Sequence, residues 1–275
     1  MKILCKKVIL SFLGLMHYSI SYGQTSGLAA QSLRCEYQLI YKTDSTSNIS
    51  KSESFTLSMS NGLSIFKSNA SSSMDSLAIA YDNRPFNEQN TQLMMLDFAK
   101  LPKPSFTYAI YKKPAEHSVV FYDKIGKTLY AYKEPDNLLK WAIVSTTANI
   151  SGYKCQKAIT TLGGRQFEVW FTRDIPIADG PYKFHGLPGL IIKANDSRNF
   201  YVFTLSSLKQ ATMLLPIIAP RQATQTTKEE FVKGKSAYAA GALDRVAAMG
   251  NTFTESDRQQ FKERAKKRNN PLELK

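Results

Sequence analysis

YKCQKAITTLGGRQFEVWFT, residues 153–172, decides the fold. Two runs rich in β-branched and aromatic residues flank Gly163-Gly164. Glycine enters positive φ without steric cost, so the pair reads as a two-residue turn and the runs as an antiparallel hairpin. The surrounding chain repeats the theme. Upstream, FTYAIYKK (106–113), SVVFYDK (118–124), KTLYAYKE (127–134) and KWAIVST (140–146) are separated by the turn-prone KPAE, KIGK and EPDN. Strands at such short, regular spacing are the pattern of a meander. Downstream, LPGLIIKA (187–194) and NFYVFTLSSLK (199–209) are joined by NDSR.

Nearer the start, LRCEYQLIYK (33–42) places Leu33, Cys35, Tyr37, Leu39 and Tyr41 on one face, the period of a half-buried strand. SESFTLSMS (52–60) does the same with Phe55, Leu57 and Met59, and the polar KTDSTSNIS between them predicts an antiparallel pair. Residues 71–81 and 87–101 lack alternation and read as short helices; Pro102 and Pro104 stop the second. The fold class is therefore mainly β: a curved, largely antiparallel sheet with a few helices, a half-barrel by analogy with periplasmic lipoprotein carriers.

The opening residues carry Lys2, Lys6 and Lys7, an apolar stretch from Val8 to Met16, then Ser21 and Gly23. That order is a secretory signal peptide over residues 1–23, and the apolar stretch is too short to span a bilayer. Residues 24–220 then form the β-rich domain and 221–275 a helical, basic extension. In the extension, Thr227 and Thr254 stand three residues before Glu230 and Asp257, as helix caps do. Whether it packs on the sheet stays open. Only its boundaries and charge are legible, and the basic run near its end reads as a solvated helix face.

The formal net charge of +14 favours anionic surfaces. For an exported chain these are an anionic lipid, glycan or peptide rather than nucleic acid. Past residue 23 the cysteines are Cys35 and Cys155; an oxidising compartment permits a bond between them without requiring it. Together with His117 and His185 they lack the spacing of a zinc site, and Asp174, Asp179 and Asp196 lack that of a calcium loop, so neither metal nor cofactor is expected.

FHGLPGLII (184–192) is the segment that invites a chemical reading. Pro188 and Gly189 fit the two central positions of a type II turn, Gly186 relaxes the entry, and Leu187, Leu190, Ile191 and Ile192 supply apolar surface. A phosphate loop would need a lysine and hydroxyl opening a helix; a nucleophile elbow would need a serine between glycines. Both are missing. His185 is the acid–base candidate by residue type, with Asp174 or Asp179 as partner, yet Ala178–Pro181 is itself a turn signature and a structural histidine is the expected reading. No catalytic residue is assigned. The aromatic residues Tyr108, Tyr111, Phe121, Tyr122, Tyr130, Tyr132, Trp141, Phe167, Trp170 and Phe171 fall in successive strands and belong mostly to the core. Any that line a concave face with a basic rim would make a binding surface. The candidate binding or structural motif comprises Trp141, Trp170, Asp174, Pro181, Phe184, His185, Gly186, Leu187, Pro188, Gly189 and Leu190.

Several pieces together resemble the GLPGLI family of exported bacterial proteins: Trp141, GYKCQKA (152–158), VWFTRDIPIADGP (169–181), KFHGLPGLI (183–191) and NPLEL (270–274). The resemblance implies a cell-envelope protein of two-membraned bacteria, in a family without an established activity and often associated with outer-membrane receptor systems. An outer-membrane protein is the partner it implies. The function expected is noncatalytic binding or assembly support; the alternatives are an interaction subunit without a small ligand and, further off, a hydrolase.

Overall fold

The computed structural model describes residues 32–211, 217, 219, 220 and 222–274; the signal peptide expected over residues 1–23 lies outside them. The strands are β1 (Ser32–Tyr41), β2 (Lys51–Ser60), β3 (Leu63–Ser68), β4 (Ala109–Lys113), β5 (Ser118–Ile125), β6 (Thr128–Pro135), β7 (Ala142–Ile150), β8 (Tyr153–Leu162), β9 (Arg165–Thr172), β10 (Leu190–Asp196), β11 (Tyr201–Ala211) and β12 (Thr224–Gln225). Helices α1 (Asn69–Asp82) and α2 (Glu88–Lys100) form a hairpin between β3 and β4. After β12 come α3 (Lys228–Ala240), α4 (Ala242–Ala247) and α5 (Glu255–Lys266).

All twelve described strands join one sheet in the order β12-β6-β5-β4-β3-β2-β1-β11-β10-β9-β8-β7. The β12–β6 pair is parallel and the other pairs are antiparallel. Connectivity forces the sheet to curl. Laid flat at roughly 4.8 Å per strand, β6 and β7 would stand about 48 Å apart. The link between Pro135 and Ala142 can reach only about 25 Å when fully extended. The sheet must therefore bend back on itself as an open cup, which bears out the expected curved, mainly β architecture.

Its concave face holds the main core. Cys35, Tyr37, Leu39 and Tyr41 of β1 alternate inward as expected, beside Phe55 and Leu57 of β2, Phe66 of β3, and Tyr201, Phe203 and Leu205 of β11. Aromatic contacts tie these strands: Phe55 stacks on Phe66 at 4.8 Å, and Phe203 meets Phe66 edge-on at 6.1 Å. A second apolar cluster lies behind β4–β6, where Tyr111, Val120 and Tyr122 are covered by Ile217, Ala219 and Ala223. Strand β5 is thus buried on both faces, which explains its unbroken apolar run.

The Gly163-Gly164 turn forms as expected, with φ of 53° and 79°. Strand β3 adds to the strands expected from alternation; Asn61-Gly62, with φ of 51° and 72°, makes the same kind of turn between β2 and β3. Both expected helices between β3 and β4 are present, and the proposed cap Thr227 closes a full capping box with Glu230 at the start of α3. The basic segment after residue 221 meets the sheet at its two ends: β12 pairs with β6, and Phe231 and Leu272 enter the main core.

Candidate functional site

The connection from β9 to β10, residues 173–189, folds into the cup. Its backbone is bonded largely to itself and to the start of β10: Gly186 N–H donates to Ala178 O, Leu190 N–H to Ile175 O and Ile191 N–H to Asp179 O, all at 3.0 Å. Phe184 is fully buried against Phe167 at 4.8 Å and Tyr182 at 6.4 Å, and Leu187 and Leu190 are buried in the same core. Strand β10 then bulges at Ile192, since Ile191 pairs with Phe171 but Lys193 with Trp170. The bulge breaks strict alternation, and Leu190, Ile191 and Ile192 are all fully buried.

The 187–190 turn departs from type II geometry. Gly189 N–H donates to Leu187 O at 2.8 Å, closing a three-residue γ-type turn at Pro188, while Leu190 N–H turns away to Ile175. Gly189 has φ of 150°, and a β-carbon there would lie 1.9 Å from Thr172 O. Close packing against the end of β9, which local sequence rules do not register, selects this geometry. Glycine is required here for backbone approach as well as for torsion.

His185 is likewise absorbed by structure. Nδ1 lies 2.7 Å from Lys183 O and Nε2 3.0 Å from Asp136 O, so both ring nitrogens face backbone carbonyls. Burial, then the nearby Lys112 charge, holds its pKa below the ordinary 6.5 against the pull of those carbonyls. Trp141 Nε1–H donates to His185 O at 2.9 Å, which fixes the strand-to-strand link between β6 and β7 to the loop. Neither aspartate pairs with the imidazole. Asp174 is exposed, and Asp179 forms an ion pair with Lys112.

Lys112 is the group that local motifs do not reveal. It is 2 % exposed, and besides Asp179 it donates to Gly180 O at 2.5 Å and Phe184 O at 3.3 Å. Burial lowers its pKa, with Asp179 opposing the shift. Lys183, also buried, lies 2.5 Å from Glu134 and 2.7 Å from Glu273, with the rings of Phe121, Tyr132 and Tyr182 within 5.3 to 5.6 Å. The signal for Lys112 was alternation: Ile110 and Lys112 share the inward face of β4, continuing the spacing of two from the buried Tyr108 just before it. Arg165 precedes Phe167, Val169 and Phe171 on the inward face of β9 in the same way.

The candidate residues divide between two faces. Phe184, Leu187 and Leu190 belong to the main core and Trp141 packs against it, Pro181 and Gly189 are buried, His185 is half-buried, and Gly186 and Pro188 are exposed. Trp170 alternates with the buried Val169 and Phe171 and so faces outward, between Lys157 and Lys193 on the neighbouring strands. Its Nε1–H donates to Glu168 at 3.0 Å and its ring lies 5.8 Å from the Lys157 ammonium. Cys35 and Cys155, whose pairing the sequence left open, are both free here. Three strands, β11, β10 and β9, separate theirs in the sheet. Burial pushes the two thiols up to about 12 and about 11, away from the reactive thiolate.

Residues 164–193 match the model of a family described as a protein of unknown function (Porph_ging). The matched span runs from the β8–β9 turn through the loop to Lys193, the same region whose packing is described above. Two solved structures of PNGF-II, in the P21 and C2 space groups, are similar to this chain, each with a TM-score of 0.53. Their sequence identities are 15 % and 14 %, and each alignment covers 76 % of this chain and 34 % of that one. The chain thus spans about a third of PNGF-II, and at such identities the likeness is one of fold. The curated proteins contain no sequence match. Among the described residues no helix is long and apolar enough to cross a membrane, and no cluster of His, Cys, Asp and Glu is placed to hold a metal ion.

Proposed function

We infer that the chain is an exported cell-envelope protein with a noncatalytic binding or assembly-support role, as its resemblance to the GLPGLI family implies. The observation carrying this reading is the use made of the loop. His185 and Asp179, the groups it offers for proton transfer, are held by backbone carbonyls and by Lys112, while Phe184, Leu187 and Leu190 occupy the concave face. A cup filled by its own loop favours a macromolecular partner over an enclosed small ligand.

The working surface in this reading is the outside of the sheet and the α1–α2 hairpin. Trp170 sits there among Lys157, Lys193 and Glu168, and the hairpin presents Phe86 at 96 % exposure with Ile79, Leu93, Met95 and Leu96 also exposed. Exposed large apolar groups of this kind mark contact surfaces. An outer-membrane protein is the proposed partner, with anionic lipid, glycan or peptide as the alternative suggested by charge.

The test is site-specific photo-crosslinking in the native cell after fractionation. Crosslinkers at Phe86 and Trp170 should trap a discrete outer-membrane partner in the envelope fraction, whereas one at the exposed Ile49, in the β1–β2 connection, should not. A cytoplasmic location, or turnover of a hydrolase substrate that His185→Ala abolishes while the fold persists, would overturn the reading.

A further inference from the structure

Residues 269–274 form a strap against the sheet, held through Asn270, the Pro271 carbonyl, Leu272, Glu273 and the Leu274 amide. Asn270 N–H donates to Thr43 O at 3.2 Å and its side-chain amide to Lys42 O at 2.6 Å. Arg165, 7 % exposed, donates to Pro271 O through Nε at 3.1 Å and a terminal nitrogen at 2.7 Å, and to the Asn270 side-chain oxygen. The Tyr201 hydroxyl donates to Asn270 O. Leu272 enters the main core, and Leu274 N–H donates to Gly163 O at 2.6 Å. Glu273 accepts from Lys228 at 2.5 Å, pairs with Lys183 at 2.7 Å and receives the Tyr182 hydroxyl. Even the turn is shaped for it: a β-carbon on Gly163 would stand 2.5 Å from the Glu273 β-carbon.

The chain leading to the strap is different in kind. Residues 241–269, including α4 and α5, contribute no buried residue, and an exposed pair between Arg258 and Asp244 at 3.8 Å is the described ion pair joining the two helices. The strap is thus a peptide ligand carried on an arm that packs little of itself. Charged and apolar anchors in a preformed slot, with a lightly held connection, are the conditions under which an identical element exchanges between protomers at small cost.

We propose that the slot formed by Arg165, Lys183, Lys228, Tyr182, Tyr201 and Gly163 is a peptide-docking site that receives residues 269–274 of a second copy of this chain. Each copy carries both halves of the contact, so exchange is self-complementary. In cis, the strap competes at the millimolar effective concentration typical of a short tether. A free peptide of micromolar affinity therefore sees a blocked slot in the intact chain and an open one when the strap is disabled.

The experiment uses the full chain with Leu272→Asp and Glu273→Lys, labelled with a fluorophore, its fold checked by circular dichroism. An amidated peptide of residues 268–274 should bind this variant saturably, about 1,000-fold more tightly than it binds the intact chain. The same peptide with the leucine and glutamate replaced as in the variant should not bind. Titrating the labelled variant with intact chain should give a 1:1 complex in sedimentation as the titrant approaches about the millimolar effective concentration at which each strap holds its own slot, competed by the peptide and absent when the titrant is more variant. If the double variant does not fold, Leu272→Ala alone serves, with the same order of affinities. A folded variant that binds neither peptide nor intact chain overturns the slot. Peptide binding with no chain–chain complex even at about millimolar titrant overturns the second copy as occupant.

Discussion

Gly189→Ala is the substitution on which the structural role of the loop bears most heavily. Its φ of 150° is outside the range that side chains adopt, and the added β-carbon would lie 1.9 Å from Thr172 O and 2.7 Å from Thr172 C. The torsional penalty is on the order of 1–2 kcal/mol. Relieving the overlap means moving β9 backbone beneath a fully buried Thr172, an overpacking cost of roughly 1–3 kcal/mol. The total, about 2–5 kcal/mol, is a large part of the stability of an ordinary domain. At roughly 2–4 °C per kcal/mol for a chain of this size, the melting temperature should fall by about 4–20 °C. Gly186→Ala is the internal control, because φ is 86° but the nearest atom to the new carbon is Trp141 Nε1 at 3.8 Å. It bears the torsional part alone. Urea and thermal unfolding followed by circular dichroism should rank Gly189→Ala well below Gly186→Ala. Equal losses, or the reverse order, would refute the close-approach argument.

Three further outcomes follow from buried groups. Asp179→Asn strands the Lys112 ammonium in the core and should cost about 3–5 kcal/mol in urea unfolding; adding Lys112→Met should recover part of it, a non-additivity that a double-mutant cycle reads directly. Cys35 and Cys155, with thiols raised to about 12 and about 11, should stay unreactive to a thiol reagent at pH 8 until the chain unfolds, when both react together. Glu273 is opposed by burial but held below the ordinary glutamate value of 4.5 by Lys183 and Lys228. Its stabilising effect is then complete above about pH 4.5 and lost as pH falls through the lower folded value. Glu273→Gln should lower the melting temperature at pH 7, and the gap from the intact chain should close toward pH 3.

What was legible in the sequence is what local rules govern. Alternation in residues 33–41 places Cys35, Tyr37, Leu39 and Tyr41 inward, and Gly163-Gly164 makes the expected turn. Asn61-Gly62 carried an equally strong signal for β3, and Lys112 stood on the inward face of β4 by the same period of two that placed Ile110 there. Contacts between distant segments were not legible. The γ-type turn at Pro188 depends on Thr172, and the strap depends on Arg165, Lys183 and Tyr201, each tens of residues away. The outward placement of Trp170, apart from the loop it was grouped with, follows from its parity with Val169 and Phe171; nearness in sequence to the motif hid it.

The central claim is that residues 175–191 are a packed part of the scaffold, and amide hydrogen exchange measures this most directly. The N–H groups of Gly186, Leu190 and Ile191 are bonded to Ala178, Ile175 and Asp179, and their neighbours Phe184 and Leu187 are buried. They should exchange as slowly as the core amides of β10 and β11, opening only with global unfolding. Exchange of these amides at loop rates while β10 and β11 stay protected would show a mobile flap over the cup, and would contradict the account.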